Sequence, residues 1–208
     1  MVGLKVFDSV GDCVVDQRVI QRRGGRCVEF PVSCLIRDMV RECGLESGVR
    51  IVFDVTFGEG RFWGAWRPEV LVGADIRVLN WVVVPDLFVR LPVWVSWRSL
   101  KKLGIVPDLV VIDPPWGVAT GSRHGTRPHY YEPLGSPDII LEEGIKAAER
   151  LGCSRVLVHY YKVVGRGGWR VINLKRFIYF TRFLKQDTKY NPNTSYFYIL
   201  ERNKEVLE

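Results

Sequence analysis

Short apolar runs that each stop at a polar or glycine-rich turn punctuate the chain. The plainest is Leu109-Val110-Val111-Ile112, with Asp113 directly after it. Val49 to Val55 carries Asp54 near its end, Val70 to Val72 runs into Gly73-Ala74-Asp75, and Val93 to Ser96 is a further run. Runs this short and this apolar are strands buried on both faces. Such strands assemble into a mostly parallel sheet, and ligands then lie outside the carboxyl ends of the strands. On this reading those ends carry Asp54, Asp75, Ser96 and Asp113 in order.

The other segments fit an α/β chain. Leu4 to Phe7 and Cys13 to Val19 are β-rich and separated by Ser9, Gly11 and Asp12, which predicts a hairpin. Leu35, Ile36, Met39, Val40 and Cys43 recur at helical spacing, with Ser33 as the expected cap. Ser136, Pro137 and Gly152 frame a helix over Pro137 to Leu151 as N-cap, first-turn proline and terminal glycine. Arg155 to Tyr160 reads as a strand, Phe177 to Leu184 suits either strand or helix, and Tyr196 to Leu200 reads as the last strand. The expected division is an N-terminal extension of hairpin plus helix over 1–45 and a main domain over 46–208.

Composition excludes several classes. With 208 residues and 47% hydrophobic content, the chain suits a globular domain rather than a disordered, collagen-like or coiled-coil protein. The most apolar stretch, Trp81 to Trp97, is broken by Pro85, Asp86, Arg90 and Pro92, so no membrane span is expected. The first ten residues lack the apolar run of a signal peptide, and the expected location is the cytoplasm. Cys13, Cys27, Cys34, Cys43 and Cys153 form no Cys-x-x-Cys pair, and His124, His129 and His159 are not placed to complete a zinc site. Reduced thiols and no metal are expected.

The net charge of +7 is unevenly spread. Residues 1–154 hold 19 Lys/Arg and 19 Asp/Glu, whereas residues 155–208 hold 11 and 4. Arg18, Arg22, Arg23 and Arg26 form a second cluster around Gly24-Gly25. A basic surface of this kind attracts a polyanion through counterion release.

Three motifs carry chemistry. In Asp54-Val55-Thr56-Phe57-Gly58-Glu59-Gly60 a strand runs into a turn with two glycines, where backbone can approach a ligand closely. Asp75 ends the next strand, where an acid can accept both hydroxyls of a ribose. Asp113-Pro114-Pro115-Trp116 is the most specific of the three. Two prolines remove two donors and stiffen the turn. Their carbonyls and the Asp113 carboxylate are then fixed acceptors for a planar amine, whose ring can stack on Trp116. The segment Gly117 to Pro133 follows and holds Arg123, His124, Tyr130 and Tyr131, a basic and aromatic set suited to phosphates and bases. Tyr160 and Tyr161 read as packing residues.

Asp-Pro-Pro followed by an aromatic residue after a strand resembles the signature of the S-adenosylmethionine-dependent amino-methyltransferases, which methylate exocyclic amines of adenine, cytosine or guanine in DNA or RNA. The resemblance covers roughly residues 49–200. It implies a Rossmann-like class I methyltransferase fold: a seven-strand, mostly parallel sheet flanked by helices, with an antiparallel last strand. It implies S-adenosylmethionine as cofactor, held by Asp54, Thr56, Phe57, Gly58, Gly60, Asp75, Ser96 and Trp97. It implies catalysis by Asp113, Pro114, Pro115 and Trp116, without a metal. Thr56 stands where many members have glycine. Asp75 comes only 15 positions after Gly60, with Arg67-Pro68 between, so the usual first helix must be short.

The expected partner is nucleic acid, with RNA favoured and DNA possible, because the segment before Glu46 is short and leaves little room for a DNA-recognition domain. A non-catalytic nucleic-acid-binding subunit, or a methylase of a small-molecule or protein amine, are the alternatives.

Overall fold

The computed structural model describes residues 3–8, 12–16, 31–114, 136–179 and 194–203. In chain order the strands are β1 (Gly3–Asp8), β2 (Asp12–Asp16), β3 (Ile51–Asp54), β4 (Val70–Ala74), β5 (Leu87–Val89), β6 (Leu109–Ile112), β7 (Arg155–Tyr160), β8 (Trp169–Tyr179) and β9 (Thr194–Arg202). Among the described residues the helices are α1 (Pro31–Glu42), α2 (Val93–Lys102) and α3 (Pro137–Arg150), with a 3-10 turn at Arg61–Trp63.

All nine strands join one sheet in the order β2-β1-β8-β9-β7-β6-β3-β4-β5. From β5 through β7 every pairing is parallel. β9 inserts antiparallel between β7 and β8. These seven strands are the Rossmann-like class I methyltransferase sheet that the resemblance implies. The predicted hairpin forms and extends the same sheet, β1 pairing antiparallel with both β2 and β8.

Period-two alternation divides the core between the two faces. Val110 and Ile112 pack with Phe53, Val72 and Val158 beneath α2 and α3. Leu109 and Val111 pack with Val52, Leu71 and Leu157 beneath α1. Ile36, Met39 and Val40 of α1 are fully buried there, each worth about 1.5–3 kcal/mol relative to exposure. Glu42, at the end of α1, accepts from Asn173 Nδ2 at 3.1 Å and from the buried Lys175 Nζ at 2.6 Å, which ties that helix to β8.

Two expectations are corrected. Val93 to Ser96 is the start of α2, not a strand, and the third strand on that side is β5. Val93, Ser96 and Leu100 are the buried positions, a helical spacing that a four-residue window cannot display. Ser33 does not cap α1; the helix begins at Pro31, and Ser33 lies buried inside it. Proline suits a first turn, where its missing N–H is no loss. The cap at Ser136 is as expected, its side chain accepting from Ile139 N–H at 3.4 Å. The short connection from β3 to β4 also matches, since it holds only the 3-10 turn. Phe177 to Tyr179 belongs to β8, and residues 180–184 lie outside the described residues. No helix among the described residues is long and apolar enough to cross a membrane.

The chain leaves β3 toward β4 and β5 on one side and continues through β6 and β7 on the other. That reversal opens a crevice above the carboxyl ends of β3 and β6.

Candidate active site

Asp54 is the last residue of β3 and is buried. Its carboxylate accepts from Thr56 N–H at 3.0 Å and from Trp63 Nε1–H at 2.9 Å. Burial pushes its pKa up to about 7, and those two hydrogen bonds oppose the rise. The next six residues form the loop. Phe57 N–H bonds Ala74 O at 3.0 Å, and Gly58 N–H bonds Asp75 Oδ2 at 3.2 Å. Gly60 has a φ of 75°, and a side chain there would sit 2.6 Å from Val83 O, so only glycine closes this turn.

Asp75 lies just past β4. Its Oδ1 accepts from Arg77 N–H at 3.0 Å and its Oδ2 from Gly58. Each oxygen thus keeps acceptor capacity for a further donor. Asp113 lies just past β6, and its N–H bonds Thr56 Oγ1 at 2.6 Å. The Asp113 carboxylate is 35% exposed, and its Oδ1 lies 2.9 Å from His159 Nδ1.

These groups surround an open cleft. Val55, Thr56 and Gly58 line it from the loop after β3, Asp75 and Ile76 from the end of β4, and Asp113 from the end of β6, with Ile140 of α3 beside them. Leu91, Pro92, Val93 and Trp94 supply an apolar wall. The pairing of apolar walls with a few polar groups suits a small organic ligand.

Of the expected site residues, Thr56, Gly58, Asp75 and Asp113 share this cleft. Asp54, Phe57 and Gly60 do not line it. Asp54 anchors the loop from below through Thr56 and Trp63. Phe57 is buried edge-on to Trp81 and Phe88, and its ring fills the space over Gly73. Ser96 and Trp97 are displaced because their segment is helical. Ser96 Oγ donates to Val93 O at 3.2 Å inside the core. Trp97 Nε1 donates to Trp94 O at 2.9 Å, and the Arg98 and Arg150 guanidiniums cover its ring. Pro114 is buried behind Asp113. Pro115, Trp116, Arg123, His124, Tyr130 and Tyr131 lie outside the described residues. Tyr160 packs in the core and donates its hydroxyl to Asp138 at 2.9 Å.

Two groups of residues at this site were not expected from sequence. In the wall from Leu91 to Trp94, Val93 and Trp94 fall in the run Val93 to Ser96, which reads as strand in the sequence, and Leu91 and Pro92 carry no site signal of their own. His159 and Ser195 stand behind Asp113, and the one local signal was a histidine inside the apolar run Val156-Leu157-Val158-His159-Tyr160.

No protein-family profile matches the chain, and no curated protein matches it. Solved structures do resemble it. One is described as a methyltransferase complexed with SAH, at 10% identity and TM-score 0.49, covering 78% of this chain and 49% of its own. A second, described as a SAM-dependent methyltransferase from Streptococcus mutans, shares 11% identity at TM-score 0.43, covering 78% of this chain and 48% of its own. The SAM-dependent methyltransferase from Neisseria gonorrhoeae shares 15% identity at TM-score 0.43, covering 95% and 78%. The chain spans about half the length of the first two.

Proposed function

We propose that this chain is an S-adenosylmethionine-dependent methyltransferase acting on an exocyclic amino group of a base in nucleic acid, RNA in preference to DNA. One observation carries the reading: Asp75 and Asp113 line a single cleft at the switch point of the sheet, past the ends of the two strands that flank β3, together with Thr56 and Gly58 of the loop that follows β3.

The residues present fit the cofactor. Asp75 has acceptor capacity for a ribose diol, and Ile76, Leu91 and Trp94 offer apolar surface for a purine. Bound there, the cofactor supplies an activated methyl group on a positively charged sulfur. Asp113 and Pro114 then do the rest. A ring amine is a poor nucleophile because its lone pair is delocalised. Acceptors at the Asp113 carboxylate and the Pro114 carbonyl draw its hydrogens out of the ring plane and stabilise the positive charge that develops on nitrogen. The N–H proton that the amine gives up on methylation would pass to the Asp113 carboxylate and from there to solvent. Positioning contributes much of the rate, since the reacting atoms must meet in line at about 3–3.5 Å. A base stacked in a duplex cannot enter such a cleft, so the target is unpaired or flipped.

Labelled S-adenosylmethionine incubated with the protein and separate rRNA, tRNA and DNA fractions tests this, followed by mass identification of the methylated nucleoside. RNA is expected to take up label on an exocyclic nitrogen. Asp113→Ala should lose transfer by about two orders of magnitude or more, with most cofactor affinity retained. Asp75→Ala should instead weaken cofactor binding. Nucleic-acid binding with no transfer in any fraction would favour the non-catalytic reading, and label confined to small amines would displace the nucleic-acid one.

A further inference from the structure

We infer that His159 is a positioning residue for Asp113, and that Ser195 fixes which ring nitrogen faces it; the inference rests on the reading of Asp113 as the group that receives the substrate amine. His159 lies in β7 with Nδ1 2.9 Å from Asp113 Oδ1 and Nε2 2.9 Å from Ser195 Oγ. β7 and β9 pair so that His159 faces Phe197 directly, and the two rings stack at 4.0 Å with 9° between planes. Ser195 is two residues before Phe197 and therefore presents to the same face of β9. Phe62, from the 3-10 turn, meets the imidazole edge-on at 6.0 Å. Groups from three separate elements thus determine the ring's plane and rotation.

Aspartate, histidine and serine in a row suggest a hydrolase, but burial points the other way. Ser195 is fully buried and His159 is 6% exposed, while the Asp113 side chain is 35% exposed toward the cleft. No electrophile reaches the serine, so the row delivers orientation outward to Asp113. An ionised carboxylate only accepts, so Nδ1 carries the hydrogen that faces it in either protonation state of the ring. In the neutral ring Nε2 is then the acceptor, and the Ser195 hydroxyl is the donor available to it. With Oδ1 committed to His159, the second carboxylate oxygen is the one presented to the amine.

The test has two arms. The chain contains three histidines, so the His159 signals of ¹⁵N-histidine-labelled protein are assigned by their loss in His159→Phe. The expected state has hydrogen on Nδ1, with a signal that moves in Asp113→Asn; a neutral ring protonated on Nε2 alone overturns the inference. The second arm is kinetic. His159→Phe keeps the stack on Phe197 but removes the bond, and kcat for methyl transfer should fall by about 10–100-fold, as for other groups that orient a reactive side chain. The dissociation constant for S-adenosylhomocysteine should stay within about twofold. His159→Asn, whose amide N–H falls near the Nδ1 position, should recover most of the loss. An unchanged kcat in His159→Phe, or no recovery in His159→Asn, overturns the positioning role. If the parent protein transfers no methyl at all, the proposed function fails, and the histidine spectra alone decide whether His159 orients Asp113.

Discussion

Asp54 makes the folded state respond to pH in a direction unusual for a carboxylate. Its pKa rises on folding from the ordinary 3.8 to about 7 because the group is buried. Below about pH 4 it is protonated whether the chain is folded or not. Between there and about pH 7 the unfolded chain ionises while the folded one holds its proton, so stability declines as pH rises. Above that range the decline is complete. Asp54→Asn removes the titration and keeps an acceptor for Trp63 Nε1. The melting temperature of the variant minus that of the parent should therefore be larger at pH 8 than at pH 5. An equal difference at both values would mean that Asp54 does not titrate in this range.

Among the elements, α3 and β6 meet at a glycine. A side chain at Gly144 would lie 2.5 Å from Ile112 Cδ1 and 2.9 Å from its Cγ1. Glycine costs a helix interior about 1 kcal/mol against alanine, so close approach is what justifies it here. Ile112 is the last residue of β6, one position before Asp113. Gly144→Val has a helix propensity not far from that of glycine, and its methyls force the helix off the strand. It should destabilise by about 1–3 kcal/mol in chemical denaturation and impair methyl transfer as well. Full stability in that variant would show that the contact yields without strain. The same elements explain what was legible in sequence. β3, β4, β6 and α3 announce themselves through local pattern, namely a buried apolar run or a capped helix. Thr56, Gly58, Asp75 and Asp113 inherit that clarity, since each lies one to four positions past such a strand. α2 was misread because Val93-Trp94-Val95-Ser96 is too short to show a period, and its buried Ser96 disguises the apolar face. β5 is only three residues long. His159 and Ser195 are 36 positions apart, and only the antiparallel register of β7 and β9 brings them together. No local pattern encodes that register.

For the molecule as a whole, charge and sheet continuity bear on substrate handling. All of the excess charge falls in residues 155–208. If that segment contacts a polyanion, the logarithm of RNA affinity should fall linearly with the logarithm of salt concentration. Replacing Lys185 and Lys189 together should weaken binding about equally across sequences and lower the slope by about 1 to 2. Affinity that ignores salt would point to a small-molecule substrate instead. The hydrogen bond from Asp113 N–H to Thr56 Oγ1 carries the pairing of β3 and β6 one step past their last backbone bond, Val55 N–H to Val111 O at 3.0 Å. Thr56 belongs to the loop that reaches Asp75 through Gly58, and Asp113 heads the turn that the proposed function offers to the amine. If both ligands bind as proposed, ordering one side through this bond should lower the cost of ordering the other, and the expected outcome is heterotropic cooperativity. Thermodynamic reciprocity makes the enhancement equal both ways: a bound nucleoside product should tighten S-adenosylhomocysteine by the same factor that S-adenosylhomocysteine tightens the nucleoside. Titration calorimetry of each ligand with and without the other measures that factor, and Thr56→Val, which keeps the shape but loses the acceptor, should bring it toward one.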